Sequence, residues 1–296
     1  MPFLTHTGVS LRYDRVGAGP AVLLAHAWTF NRTAWERQAL ALRDRHTVIT
    51  VDLRGHGESS HPRTGYTVAS MAGDLEHLVR ALNVPRIALV GWSMGGLLVL
   101  ELARRLGERV SALGLVSTTA GGLTDPKNEH AAPKDEAAQF RAAIDADFRA
   151  FARQLAPRLF KLGAESPLLP WAIAQMQKTP AHVAAACFDA MLAADLRPVL
   201  KTLRVPAMVF HGRHDALTPL AAAEALKKSI EGARLTVFDE SGHAPLLEEP
   251  DAFNAALADL LRAEKAPADR GPAPSRRAAR SGPSGPSGRA RPRTSR

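Results

Sequence analysis

The feature that most constrains this chain is a repeated alternation of short apolar runs with segments of helical spacing. Ala21-Val22-Leu23-Leu24-Ala25, Thr47–Val51, Ile87–Val90 and Val110–Val116 are apolar runs of strand length. Such runs suit strands buried on both faces of a parallel sheet, where no position is left for a polar residue. Between them lie a helical segment around Trp35–Leu42, the spaced set Met71, Leu75, Leu78, Val79 and Leu82, and the segment Leu97–Leu106. A βαβα order of this kind predicts a mostly parallel sheet with helices on both faces. Upstream, His6 to Arg15 reads as one short strand leading to the turn Gly17-Ala18-Gly19-Pro20.

The rhythm stops between Gly121 and Leu200. Phe140, Ile144, Phe148, Phe151 and Leu155 recur there at helical spacing, and prolines 157, 167, 170 and 180 cut the segment into short helices. It resumes with Ala207–Phe210, a helix near Leu220–Ser229, the strand Leu235–Phe238 and a last helix from Pro250 to about Ala263. The expected organisation is an α/β core over 1–120 and 201–263, a helical cap inserted at 121–200, and a tail over 264–296.

That tail resolves an oddity of charge. The formal net charge is +9, from 38 Lys+Arg and 29 Asp+Glu, and on its own it would suggest a polyanionic partner. From Glu264 to Arg296 there are nine basic and two acidic residues, net +7, which leaves +2 on the rest. The tail is built of Pro, Gly, Ser, Ala and Arg without aromatic residues, and is expected to be disordered. With no aromatics for base stacking, nucleic-acid binding is not expected, and any such binding would be confined to the tail. The cap carries nine basic and nine acidic residues, so it has no net attraction for an anionic substrate.

Other classes are excluded more simply. A single cysteine, Cys187, cannot form an internal disulfide. The N-terminal Met1-Pro2-Phe3-Leu4-Thr5-His6 lacks the basic and apolar regions of a secretory signal, and no apolar stretch approaches membrane-span length. A cytoplasmic protein acting on a small molecule, without a cofactor or metal, is the expectation; the oligomeric state is left open.

The local motif that carries chemistry is Gly91-Trp92-Ser93-Met94-Gly95-Gly96, set between an apolar strand and a helix. A sharp strand-to-helix turn that exposes a serine brings the two backbones together, so very small residues are needed two before and two after it. Gly91 and Gly95 meet that need. A bare G-x-S-x-G arises by chance in roughly one chain of this length in ten, so the strand-turn-helix context is what gives the motif weight.

With these residues in place the chain resembles the α/β-hydrolase family over about residues 3–263, in its serine esterase and lactonase branch. The family's chain order of serine, acid and histidine implies Ser93 as nucleophile. It implies Asp215, in Gly212-Arg213-His214-Asp215, as acid and His243, in Ser241-Gly242-His243-Ala244-Pro245, as base. The family's alternative acid position, here Ser117–Gly121, contains no carboxylate. The resemblance also implies an oxyanion hole made of the main-chain N–H groups of Trp28 and Met94. The chain departs from the family at Ala27, where glycine is usual; a left-handed backbone there would strain an alanine. The side chains of Trp28 and Trp92 are expected as apolar pocket walls.

His211 and His214 flank Asp215, but no second pair with metal-ligand spacing accompanies them, and they read as structural. His56, in Asp52-Leu53-Arg54-Gly55-His56-Gly57-Glu58-Ser59, reads as turn chemistry. Phe140, Phe148, Phe151, Leu155, Leu159, Phe160, Leu168, Leu169, Trp171 and Met176 divide between an acyl pocket and the cap's own core. The predicted function is cleavage of a carboxylic ester, thioester or lactone through an acyl-enzyme. Pimeloyl-carrier-protein methyl ester esterases, enol-lactonases and cofactor-free haloperoxidase-type esterases share these motifs. A C–C bond hydrolase and a non-catalytic ligand receptor or scaffold on the same fold are the alternatives, while aspartate-nucleophile branches are disfavoured by Ser93.

Overall fold

The computed structural model describes residues 2–125, 128 and 133–263. The tail expected to be disordered, 264–296, lies outside the described residues. Eight strands form one sheet: β1 (Phe3–His6), β2 (Val9–Val16), β3 (Ala21–Ala25), β4 (Thr47–Val51), β5 (Ile87–Trp92), β6 (Val110–Val116), β7 (Ala207–Gly212) and β8 (Arg234–Phe238). Their spatial order is β1-β2-β4-β3-β5-β6-β7-β8. β2 pairs antiparallel with β1 and β4, and every other pairing is parallel. The mostly parallel sheet read from the apolar runs is present.

The N-terminal region differs from expectation. His6–Arg15 is not one strand, because Thr7 and Gly8 adopt φ of 47° and 80° and fold the chain into a hairpin. A two-residue turn with both φ positive matches the twist of paired strands, and threonine at its first position is an uncommon choice that hides it in the sequence.

The central strands show why the sheet is covered on both sides. In β3, Leu23 and Ala25 join one apolar cluster with Leu75 and Leu78 of α2 (Val68–Ala81) and Leu98 and Leu102 of α3 (Met94–Leu106). Val22 and Leu24 join the opposite cluster, with Leu42 of α1 (Glu36–Leu42) and Phe253 and Leu257 of α10 (Pro250–Ala263). Alternate residues of a strand point to opposite faces, so a continuous apolar run is what two covering layers require. α8 (Leu220–Ser229) adds Leu226 to the first layer.

Between β6 and β7 the described residues contain helices and one isolated bridge, Gly121 to Asp195. They are α4 (Lys134–Leu155), α5 (Leu169–Met176), α6 (Ala181–Ala193) and α7 (Arg197–Leu200). α4 is kinked at Asp147, whose carboxylate accepts the Ala150 N–H at 2.9 Å and so restarts the helix as a cap would. The short α9 (Pro245–Glu248) follows β8. Among the described residues no helix is long and apolar enough to cross a membrane.

Candidate active site

Ser93 sits between the end of β5 and the first residue of α3 with φ 53° and ψ −115°, a conformation costly for any residue with a Cβ. The surrounding contacts hold it there. The Ser93 N–H donates to Val116 O at 2.8 Å, and its carbonyl accepts from Gly96 N at 2.8 Å and Thr118 Oγ1 at 2.7 Å. The two glycines are needed for the reason inferred from the motif. A Cβ on Gly91 would lie 2.2 Å from Gly95 O, and one on Gly95 would lie 2.4 Å from Ala25 O.

The loops after β7 and β8 meet through a similar close approach, since a Cβ on Gly212 would lie 1.9 Å from Gly242 O. This contact brings Asp215 and His243 together. His243 Nδ1 lies 2.8 Å from Asp215 Oδ2, and the Asp215 carboxylate is fully buried. A carboxylate only accepts, so Nδ1 carries a proton, and in the neutral ring Nε2 is the nitrogen with the free lone pair. The other carboxylate oxygen of Asp215 accepts the Leu217 and Thr218 N–H groups at 2.9 Å each. Burial raises the Asp215 carboxyl, but the His243 ring, with His211 and the Thr218 N–H, outweighs it and holds the group below its usual value.

His211 Nε2–H donates to Thr218 O at 2.9 Å, and the same nitrogen lies 3.6 Å from Asp215 Oδ2. Burial pulls its pKa down despite the neighbouring Asp215. His214 is exposed. Among the described residues no cluster of three or more His, Cys, Asp or Glu is arranged to hold a metal ion.

Ser93 and His243 line one cavity of about 180 Å³, together with Trp28 and Met94. No hydrogen bond joins the Ser93 hydroxyl to the His243 ring, and such contacts often tighten only when substrate binds. Among the described residues the main-chain N–H groups of Trp28 and Met94 find no hydrogen-bond acceptor. Larger surface depressions, about 250 Å³ around Arg32 and about 730 Å³ beside α10, contain none of these four residues.

Ala27 escapes the strain feared for it. Left-handed backbone falls on Thr29 instead, at φ 63°. Two fully buried histidines brace this loop. His26 Nδ1–H donates to Ala27 O at 2.8 Å, and its Nε2 accepts the Leu53 N–H at 3.0 Å. His56 Nδ1–H donates to Arg54 O at 2.9 Å, and its Nε2 accepts the Thr29 N–H at 3.3 Å. His56 thus does turn chemistry, as read from the sequence, while the part played by His26 was not.

Of the two tryptophans, Trp28 is a cavity wall and Trp92 is not. Trp92 is fully buried, and its indole N–H donates to His243 O at 2.8 Å. A buried indole N–H usually finds a partner, and that of Trp92 finds the His243 carbonyl. Of the aromatic and aliphatic residues proposed for the cap pocket, Phe140 and Leu155 line the cavity. Phe148, Phe151, Leu159, Phe160 and Met176 are buried in the core. Phe188 and Met191 of α6, with Leu123 and Leu217, complete the apolar wall and were not anticipated.

The helical segment is tied to the loops that bear Trp28 and His243. Trp28 Nε1 donates to Ala184 O at 3.0 Å, Asn31 Nδ2 to Gln175 Oε1 at 2.7 Å, and Thr179 Oγ1 to Thr29 O at 3.2 Å. On the other side the His243 N–H donates to Leu159 O at 2.8 Å.

The α/β-hydrolase-fold family profile matches residues 20–250. The chain belongs to the α/β-hydrolase family. It is 32% identical over 253 residues to a pimeloyl-[acyl-carrier protein] methyl ester esterase of Aromatoleum aromaticum, covering 82% of this chain and 98% of that one. It is 29% identical over 266 residues to 3-oxoadipate enol-lactonase 2 of Acinetobacter baylyi, covering 88% and 96%. Among solved structures, an esterase from Exiguobacterium antarcticum superposes with a TM-score of 0.83 at 28% identity, covering 88% of this chain and 98% of that one. The esterase and lactonase branch singled out by the motifs is the branch in which these relatives fall.

Proposed function

We propose that this α/β-hydrolase is a serine hydrolase that cleaves a carboxylic ester or lactone through an acyl-enzyme on Ser93. The observation that carries this reading is the buried Asp215–His243 hydrogen bond at 2.8 Å, with His243 sharing a cavity wall with a strained Ser93. The esterases and the lactonase among its relatives support the bond type.

In this mechanism His243 Nε2 takes the Ser93 hydroxyl proton while Oγ forms a bond to the substrate carbonyl carbon. Asp215 keeps the imidazole in the Nδ1–H tautomer and stabilises the imidazolium. The negative charge that gathers on the carbonyl oxygen is met by the unpartnered N–H groups of Trp28 and Met94, the latter at the start of α3. Collapse breaks the bond to the alkoxy oxygen, which receives the proton from His243; in a lactone that alcohol stays tethered. Water then gives a proton to His243 and its oxygen to the acyl carbon, and Ser93 leaves with the proton returned.

Hydrolysis of p-nitrophenyl butyrate and labelling of Ser93 by a fluorophosphonate test the reading together. Ser93→Ala is expected to lose at least about 10⁴-fold in kcat with circular dichroism unchanged. A wild-type protein that neither hydrolyses esters nor takes the label would make this chain a binding protein instead.

A further inference from the structure

We propose that the acyl part of the substrate is short and uncharged, an inference that rests on the serine-hydrolase reading of the same site. The cavity beside Ser93 and His243 holds about 180 Å³, below the ~300 Å³ at which pockets for drug-sized ligands begin. Its walls are apolar side chains, among them Trp28, Leu97, Phe140, Leu155, Phe188 and Met191. Besides Ser93 and His243, polar lining comes from the hydroxyl residues Ser117, Thr118, Thr119 and Thr218. The Thr118 hydroxyl is already committed to Ser93 O.

None of the described lining residues is Asp, Glu, Lys or Arg. A carboxylate set against these walls would exchange water for apolar side chains and meet no cation among the described lining residues, a cost that pairing or protonation relieves. Among the described residues, Arg158 comes near the wall. Its guanidinium lies 5.7 Å from the Phe140 ring centroid and donates to Ala216 O at 2.9 Å, so it is already engaged, and its side chain is exposed. The site therefore selects against a charged acyl terminus and against chains that outgrow the cavity, whatever alcohol or lactone oxygen leaves.

The experiment is a kcat/KM series on p-nitrophenyl acetate, butyrate, hexanoate and decanoate, with the p-nitrophenyl monoester of adipic acid as the charged match for hexanoate. Across the short chains kcat/KM is expected to rise about threefold to fourfold per added methylene until the cavity is full. It is expected to fall by decanoate. The adipate monoester is expected to run at least about 100-fold below hexanoate, since the acyl lengths are equal and only the buried charge differs. Equal rates for hexanoate and the adipate monoester would overturn the proposal. So would a preference for the adipate monoester, and loss of that preference in Arg158→Ala would assign the recognition to Arg158. A decanoate rate matching or exceeding the short-chain optimum would overturn the size limit. Absence of hydrolysis across all five esters would instead overturn the serine-hydrolase reading.

Discussion

The indole N–H of Trp92 donates to the main-chain carbonyl of His243 at 2.8 Å. The residue just before the candidate nucleophile thus holds the loop that carries the candidate base, across 151 positions of sequence. Trp92→Phe keeps most of the buried ring area and removes that donor. The His243 carbonyl is then left without this partner, which costs about 1–3 kcal/mol. We expect a lower urea midpoint and a fall in kcat larger than any change in KM, because the histidine loop is displaced and the cavity wall is not. An unchanged kcat would mean that the loop is held well enough by its remaining contacts, to Leu159, Glu248 and Asp215.

The elbow glycines give a sharper contrast. A Cβ on Gly95 would meet the backbone oxygens of Ala25 at 2.4 Å and His26 at 2.7 Å, neither of which can rotate away. Gly95→Ala is therefore expected to destabilise by about 1–3 kcal/mol, and to lower activity by shifting the loop that bears Trp28. Gly73 lies inside α2, and its nearest contact is the flexible end of Arg105 at 3.3 Å. Gly73→Ala is expected to be neutral or stabilising by up to about 1 kcal/mol, since it relieves the entropic cost of glycine in a helix. Urea titration of the two variants side by side checks both signs.

Why was the elbow legible and much of its support not? Gly91, Ser93 and Gly95 answer a local steric demand that three nearby positions express completely. The central strands are legible for a like reason: Ala21–Ala25 has no polar residue, and burial on both faces is the one environment that suits it. The hairpin at Thr7-Gly8 was missed because threonine at positive φ is disfavoured, so tertiary pairing overrode local preference. Phe188 and Met191 were missed because α6 is rich in alanine and apolar on several sides, and spacing alone does not tell which side meets the cavity. Trp92's bond to His243 and the bracing of the Thr29 turn by His56 are long-range choices. No local pattern encodes them.

Acid sensitivity follows from the histidines that brace the Ala27–Thr29 loop. Burial pulls His26 down to about 4, and burial together with the neighbouring His26 pulls His56 down to about 3, against 6.5 for each when unfolded. Both pKa values are lower in the folded state, so below pH 6.5 the unfolded chain binds more protons than the folded one. Stability is therefore full above about pH 6.5. It falls as pH drops towards 4 for His26 and towards 3 for His56, by several kcal/mol in all. Urea midpoints measured from pH 7.5 to 4.5 should decline, and His26→Gln or His56→Gln should flatten the decline whatever either does to stability at pH 7.5. A parallel decline in both variants would remove these histidines as its cause.

Glu248 ties the histidine loop to the helical segment with one carboxylate. Its Oε2 accepts the Gly242 N–H at 2.7 Å and its Oε1 accepts the Lys161 N–H at 2.8 Å. Burial raises its pKa above the usual carboxylate value, and these N–H groups only partly offset that. Glu248→Gln keeps the shape but supplies one acceptor where two N–H donors point, so one of them faces an amide N–H. The expected loss is about 1–3 kcal/mol of stability. Because Gly242 directly precedes His243, kcat on p-nitrophenyl butyrate should fall while KM stays within about twofold, an effect made in the transition state and not in ground-state binding. Glu248→Ala removes both acceptors and should fall further on both measures. A Gln variant with wild-type kcat and a lowered urea midpoint would confine Glu248 to stability, and would leave the placement of His243 to Trp92 and Leu159.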